Sequence, residues 1–409
     1  NQGVRIPDME RVGTHSIRIR SRFPLVTLEA DLYTFFPVPK HLYGEVGDPK
    51  KHRFHMNPVG SGPYRVQPGS APRHLTLLRW EGYRGPHPGT SAGFEISAAP
   101  AADPAWNRLP LAERLRQRSP DLYSGTSWLS NMLVRRGAPG LEGYLPLESV
   151  QDGFEAAWFN CDPKLSVMAD VRLRQALANL IPLDEFTRQR QVRPVQVATS
   201  LWHPLSWASD PGTKPLPRPA MASHLLDEAG WPVGPNGWRR NAQGHELVLS
   251  LFHGRPMNRD PFLRQFIDAI TQAGIRVDTR ELTFQELQAA EAAGRGDIWM
   301  GAWVNNGPDP TGDRLLYTTE GIPSKTNYMR YSNPEVDRLF EAGSLEGDRE
   351  ARQEIYRRIN RIIQRERPLI QLEYVPFYAI ASKRLAGLSF SSRGTLYGFI
   401  PGMRGWRVD

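Results

Sequence analysis

The middle of the chain alternates between two hydrophobic periods, and this alternation constrains the fold more than any other feature. Apolar runs typical of strands cover about 246–252, 275–277 and 297–300. Between them, apolar residues recur at helical spacing over about 262–274 and 283–293. Strands that alternate with helices form βαβ units, in which parallel strands are covered by helices. The pattern therefore predicts an α/β lobe.

Further elements are predicted on both sides of this region. Helices are expected at 109–118, 168–181 with Asp170 as N-cap, 220–229 and 349–366. Strands are expected at 16–20, 25–28, 75–80 and, as an apolar strand pair, 369–382. Residues 81–105 are predicted to be a long surface connection because they are rich in Gly, Pro, Ser and Ala, and residues 203–219, with five prolines, are predicted to be a loop.

Size and composition place the chain among multi-domain globular proteins. It has 409 residues, and a single core rarely grows beyond about 250–300 residues. The 36 glycines and 36 prolines exceed the average share of about 12% and argue against a helical bundle or coiled coil. No run of about 18 apolar residues occurs, whereas a membrane-spanning helix needs about 20.

The charge pattern does not favour nucleic acid as a partner. The net charge is +8, but the basic residues are spread along the chain in small clusters such as Arg357, Arg358 and Arg361. A nucleic-acid surface would show a basic stripe with interleaved aromatic residues. The single cysteine, Cys161, excludes an intramolecular disulfide and is compatible with cytosol or periplasm.

Two short motifs suggest chemistry and are outweighed by their context. Gly89–Gly93 matches the G-x-S-x-G nucleophile elbow around Ser91, but an elbow needs a strand before it and a helix after it. His52 and His55 have a metal-binding spacing, but lysines and an arginine surround them. We therefore predict no metal site, no catalytic residue and no cofactor.

The most informative segment runs from Asp297 to Pro310. A strand leads into a polar loop rich in Gly and Pro, and in α/β sheets ligands bind beyond the carboxyl ends of strands. Trp303 would supply an apolar wall, with Asn305, Asn306 and Asp309 as polar anchors. Alternatively, Trp303 belongs to the core and the polar residues cap turns. The residues alone leave both readings open.

Several segments, in order, resemble the extracytoplasmic solute-binding proteins of the peptide/nickel class, which serve ATP-driven importers. They are the turn Asn57–Arg65, Ala157–Asn160 with the following Ala169–Leu177, Leu225–Trp231, Trp303–Pro310 and Asn327–Asp337. The resemblance covers most of residues 15–400. It implies a two-lobed periplasmic-binding-protein fold, a type II-like clamp of mixed sheets flanked by helices, and it adds Asn160 and Tyr328 to the candidate ligand-binding residues.

The resemblance also implies a division of the chain. Residues 1–40 would be the remnant of an extra domain, 41–160 part of the first lobe, 161–375 the second α/β lobe, and 376–409 a return to the first lobe. Family members carry a longer segment before the region where this chain begins. We therefore expect a fragment or a shortened homologue, with its signal segment not present in this sequence.

One position departs from the family pattern. In peptide binders an Asp three residues after the Trp pairs with the amino terminus of the peptide, and that position is Asn306 here. A charge-assisted hydrogen bond is worth about 1.5–3 kcal/mol and a neutral one about 0.5–1.5 kcal/mol. A blocked peptide, a sugar-like solute and a metal chelate therefore stay open as ligands, and Asp309 substitutes only if the loop turns differently.

The leading hypothesis is a monomeric, non-enzymatic, periplasmic solute-binding protein. It would capture a peptide or similar small polar solute between two lobes and deliver it to a membrane ABC permease. A ligand-sensing module with the same fold and a regulatory role is the first alternative. A serine hydrolase acting through Ser91 is the second.

Overall fold

The computed structural model describes most of the chain, and everything below refers to this part. The described residues are 8–20, 26–27, 39–44, 54, 58–70, 73–98, 104–181, 197–210, 218–254, 261–305, 309–391, 394–396 and 402–409. The predicted strand at 25–28, the two histidines His52 and His55, and Asn306 lie wholly or largely outside them.

The chain divides into two compact units. Unit 1 comprises Asn1–Thr34 and Asp152–Val375, and unit 2 comprises Phe35–Gln151 and Pro376–Asp409. The boundaries near 151 and 375 fall inside two long strands, which therefore run from one unit into the other. The sequence reading placed lobe boundaries at 40, 160 and 375, and that division into lobes stays a prediction.

Thirteen strands are described. They are β1 (Asp8–Arg11), β2 (Ile17–Arg20), β3 (Tyr64–Val66), β4 (His74–Arg79), β5 (Gly93–Ser97), β6 (Leu122–Ser124), β7 (Tyr144–Phe159), β8 (Val248–Gly254), β9 (Arg276–Leu282), β10 (Ile298–Val304), β11 (Leu369–Ser382), β12 (Leu385–Ala386) and β13 (Arg407–Val408).

Eleven α-helices are described. They are α1 (Lys40–Tyr43), α2 (Pro104–Arg108), α3 (Leu111–Arg118), α4 (Trp128–Arg135), α5 (Val171–Leu180), α6 (Pro219–Glu228), α7 (Pro261–Gln272), α8 (Phe284–Ala293), α9 (Arg314–Tyr317), α10 (Pro334–Leu345) and α11 (Arg349–Glu366). Short 3₁₀ turns occupy Val167–Ala169, Pro310–Asp313, Thr319–Gly321 and Gly402–Gly405.

The predicted βαβ units are present and form the centre of unit 1. The sheet has six strands in the order β6-β11-β7-β10-β8-β9, and the last five of them contribute to unit 1. Strand β8 is parallel to both β9 and β10, whereas β10 is antiparallel to β7, so the sheet is mixed. Crossovers between parallel strands are almost always right-handed, and for this strand order the rule puts α7 and α8 on opposite faces of the sheet. The fold class predicted from the sequence, α/β with mixed sheets flanked by helices, is confirmed.

The main core of unit 1 lies on one face of this sheet. Alternate residues of β10, Ile298 and Met300, contact the buried side of α7, including Phe266 and Ile270. Helix α5 joins the same cluster, and it begins where predicted because the Asp170 carboxylate accepts the Arg172 backbone N–H at 2.9 Å. The odd-numbered residues Trp299, Gly301 and Trp303 therefore face the other side of the sheet.

Unit 2 is built from smaller sheets. Strands β3, β4 and β5 form an antiparallel sheet, β12 pairs with β13, and β6 pairs with the last part of β11. Strand β5 corrects the prediction of a continuous surface connection over 81–105. The predicted strand pair over 369–382 is likewise corrected, since these residues form the single strand β11.

Candidate functional site

Trp303 lies near the carboxyl end of β10, where the strand leaves the core. The first three residues of β10 are buried, and exposure increases from Gly301 onward. Trp303 is half-buried, its backbone pairs with Phe154 of β7, and its indole Nε1 donates a 3.0 Å hydrogen bond to Asp313 Oδ1. Asp313 is only 2% exposed, so this hydrogen bond holds the ring in a fixed orientation.

A close approach between strands fixes the backbone at this point. A Cβ atom on Gly153 would lie 2.3 Å from the Trp303 carbonyl oxygen, which is far inside van der Waals contact. Glycine is therefore required at this position for β7 and β10 to pair around Trp303.

Asn305 continues this edge and is held by Asp152. The Asn305 backbone N–H donates to the Asp152 carbonyl at 2.8 Å, and its side-chain Nδ2 donates to Asp152 Oδ1 at 2.7 Å. Both residues are less than a tenth exposed. The side chain of Asn305 therefore holds the end of β10 against β7. A direct contact between Asn305 and a ligand stays a prediction.

Asp152 also faces a buried histidine that the sequence reading missed. His203 is 7% exposed, and its Nδ1 accepts the Leu205 backbone N–H at 3.2 Å. Burial lowers the pKa of His203, and the Asp152 carboxylate partly opposes this effect. The ring also contacts Tyr374 of β11 at 5.8 Å. The sequence offered one signal for the pair of Asp152 and His203, since Asp152 comes directly before the apolar half of β7.

Asp309 is paired with an arginine of α11. Its two carboxylate oxygens accept hydrogen bonds of 2.6 and 2.7 Å from the Arg352 guanidinium, and one of them also accepts the Thr311 backbone N–H. Arg352 is further covered by the Trp207 ring at 5.0 Å. Asp309 therefore fastens the loop after β10 to α11, and the turn-capping alternative describes it better than a ligand anchor.

Asn160 and Tyr328 lie near the opposite end of β10, where that strand begins. Since β7 is antiparallel to β10, Asn160 follows the residue that pairs with Ile298, at the start of β10. Asn160 is fully buried, and its Nδ2 donates to the carbonyls of Gly294 at 2.9 Å and Gly296 at 3.1 Å. The Asn160 amide therefore holds the loop before β10, and a ligand-binding role for Asn160 stays a prediction.

Tyr328 packs near this same end of β10. Its ring meets Trp158 edge-on at 5.3 Å, and burial raises its pKa, as does the nearby Glu291 carboxylate. The structure therefore separates the six predicted site residues. Trp303 and Asn305 stand together at the carboxyl end of β10, Asp309 turns toward α11, Asn160 and Tyr328 lie at the other end, and Asn306 is outside the described residues.

The Ser91 motif has no elbow geometry. Ser91 Oγ donates a 2.6 Å hydrogen bond to the Trp406 carbonyl, and the element that follows the motif is strand β5 rather than a helix. The described residues contain no group of three or more His, Cys, Asp or Glu side chains arranged to hold a metal ion. None of the described helices combines the length and the apolar character needed to cross a membrane.

The arrangement at the end of β10 suits non-covalent recognition. The half-buried indole of Trp303 is hydrogen-bonded to Asp313, and the neighbouring Asn305 is hydrogen-bonded to Asp152. An apolar wall with a few fixed polar groups is the usual composition of a small-molecule site.

The sequence profile described as "Bacterial extracellular solute-binding proteins, family 5 Middle" matches residues 3–324. The chain belongs to this family. The family resemblance expected from the sequence segments is therefore confirmed. The Dipeptide-binding protein of Pseudomonas aeruginosa is 25% identical over 256 residues, which are 61% of this chain and 46% of that protein. The chain thus spans about half the length of such a relative.

Solved structures show the same fold. The peptide binding protein AppA from Clostridium difficile superposes with a TM-score of 0.80 at 18% identity, covering 98% of this chain and 78% of that one. NikA from Brucella suis, in complex with Fe(III)-EDTA, superposes with a TM-score of 0.79 at 20% identity, with the same coverage. At this identity the likeness establishes the fold, and the two-lobed class expected from the sequence is confirmed.

Proposed function

We propose that this protein is the solute-binding component of an ABC importer. It captures a peptide or a similar small polar solute and delivers it to a membrane permease, as an extracytoplasmic monomer without catalysis. The observation that carries this proposal is the half-buried Trp303, held by Asp313 at the carboxyl end of β10 in a chain of the family 5 fold. The dipeptide-binding relative supports a peptide as the solute.

The regulatory alternative and the hydrolase alternative have less support. The family is described by solute binding, which favours capture over sensing. The hydroxyl of Ser91 is donated to a backbone carbonyl, which favours a structural turn over a nucleophile.

Native mass spectrometry of gently purified protein tests the proposal first. We expect a bound species with the mass of a short peptide or small solute, released on denaturation and identified by fragmentation. Calorimetry with the recovered ligand then compares the wild type with Trp303→Ala. We expect at least tenfold weaker binding, because the indole wall is removed while the fold is retained.

Trp238→Ala is the matched control. Trp238 is also half-buried, and it stacks on Arg276 at 4.4 Å, remote in sequence from the β10 edge. Its removal should leave the affinity unchanged. Equal affinity of wild type and Trp303→Ala would refute the role of Trp303, and a ligand that is covalently altered after incubation would refute binding without catalysis.

A second comparison tests whether binding depends on a positively charged amino terminus of the solute. Since Asn306 replaces the family's aspartate, we expect a free-amine peptide and its N-acetylated form to differ by less than about tenfold in affinity. A much larger preference for the free amine would show that another carboxylate, such as Asp152, supplies the charge.

A further inference from the structure

A cavity of about 330 Å³ opens between three helices of unit 1, away from the end of β10. It is bordered by one face of α5, the first turns of α6 and the carboxyl end of α11. All nine lining residues belong to the described part of the chain; three of them are arginines and none is acidic. The arginines are Arg218, Arg365 and Arg367.

These three guanidinium groups are only partly neutralised by the protein. Within the described residues, Arg218 forms no ion pair, and Arg365 pairs with Glu366 at 3.3 Å while remaining 63% exposed. Arg367 donates one of its five N–H groups to Gln364 Oε1, and burial lowers the pKa of Arg367. The cavity therefore carries a surplus of positive charge and of hydrogen-bond donors.

The arginine side chains are not needed to cap helix α11. Its last carbonyls already have other partners: the Arg367 backbone N–H on Ile363 at 2.8 Å, Gln175 Nε2 on Arg365 at 2.8 Å, and Arg174 Nε on Glu366 at 2.9 Å. Helix ends commonly recruit cations for this purpose. Here that need is met without the three guanidinium groups that face the cavity.

The backbone at Arg367 supports a role for its side chain. Arg367 has φ of 51° at the end of α11, a left-handed conformation that glycine adopts without penalty. An arginine at this position places a guanidinium at the cavity wall at a conformational cost. Strained residues of this kind concentrate at functional sites.

We propose that this cavity binds a small organic anion. Its carboxylate or phosphate group would lie among Arg218, Arg365 and Arg367, since guanidinium groups bind both oxyanions with paired hydrogen bonds. A short apolar part of the molecule would lie against Met221 and Leu225, which line the same cavity. The site is separate from Trp303 and does not depend on the proposed solute.

The test titrates hexanoate, hexyl phosphate and hexanol into the full chain by calorimetry. The first two share an alkyl chain and differ in the anionic group, and hexanol lacks the charge. Each is measured on the wild type, on Arg367→Gly and on Arg218→Gln. Glycine suits the backbone at 367, so Arg367→Gly removes the guanidinium without adding strain, and thermal denaturation confirms that the variant folds.

Lys325→Gly is the matched control, because it also removes one cation from a residue with positive φ, here 59°, at an exposed site that does not line the cavity. We expect saturable binding of at least one anion, weakened tenfold or more by Arg367→Gly and by Arg218→Gln, and changed less than twofold by Lys325→Gly and Trp303→Ala. The anion bound more tightly identifies the carboxylate or phosphate class. Absence of saturable binding of both anions, equal affinity in Arg367→Gly, or equally tight binding of hexanol would overturn the proposal.

Discussion

The carboxyl group of Glu291 is expected to make the stability of this protein fall as the pH rises. Glu291 lies on α8, half-buried beside Tyr328. The nearest guanidinium, that of Arg330, is directed elsewhere: it donates to the backbone carbonyls of Glu291 and Ala292 and faces the Asp162 carboxylate at 3.7 Å. Burial without a charge partner raises the pKa of Glu291 to about 7.

The sign and size follow from proton linkage. The ordinary pKa of the group is 4.5, so between pH 4.5 and about 7 the unfolded chain releases the proton that the folded protein still holds. Stability is therefore complete below pH 4.5, declines through this window and stays reduced above it. The full difference corresponds to about 3 kcal/mol, and partial exposure to solvent reduces the expected effect to about 1–3 kcal/mol.

Replacement of Glu291 by Gln removes the titration and keeps the shape of the side chain. We expect equal free energies of unfolding for wild type and Glu291→Gln at pH 4.5, and a more stable variant at pH 8 by about 1–3 kcal/mol. Guanidinium titrations followed by tryptophan fluorescence at several pH values measure this gap. Asp268→Asn, which neutralises an exposed carboxylate on α7, is the matched control variant. A constant difference between wild type and Glu291→Gln across the pH range would refute the reasoning.

Three further predictions concern the β10 edge and the cysteine. Asp309→Ala should lower the free energy of unfolding by about 3–5 kcal/mol, because it leaves the Arg352 guanidinium, 8% exposed, without its partner; the double variant with Arg352→Met should recover much of this loss in urea titrations. Gly153→Ala should cost about 1–3 kcal/mol and weaken solute binding, since the added Cβ pushes against the Trp303 carbonyl; calorimetry that shows unchanged affinity would contradict this. Burial raises the pKa of Cys161 to about 11, so iodoacetamide at pH 8 should label the native thiol roughly a hundredfold more slowly than the unfolded chain, as read by mass spectrometry.

Local signals in the sequence were sufficient for five helices of unit 1 and for its alternating strands. Asp170 caps α5 as predicted, and the left-handed residues Gly274 and Gly294 follow α7 and α8. These signals work because caps and glycine stops are set by backbone hydrogen bonding within a few residues. Helix α10 carries equally local signals, the Asn333 N-cap and Pro334 at its first position, and was within reach of the same reasoning.

Strand β7 lay beyond local reasoning. Its first half is partly exposed and contains polar residues, and its second half is almost entirely buried. A strand with both faces covered has no period of two, so its apolar run cannot be distinguished by pattern from part of a helix. The polar partners Asp152 and His203 were also missed. Their proximity depends on where β7 and the 197–203 segment meet, which no local pattern in the sequence shows.

The candidate site shows most clearly what a sequence pattern omits. Trp303 and Asn160 each lie at the end of a strand, beside a polar loop. The sequence pattern therefore gives no reason to assign them to different ends of the sheet. Their strands, β10 and β7, are antiparallel neighbours, and the residue before Asn160 pairs with the first residue of β10. Asn160 therefore lies opposite Asp297, eight residues before Asn305, and at about 3.3 Å per residue of extended chain the two asparagines are roughly 26 Å apart along the strand. Strand direction follows from which elements pair across the sheet, and this long-range choice decides which polar side chains can share one ligand.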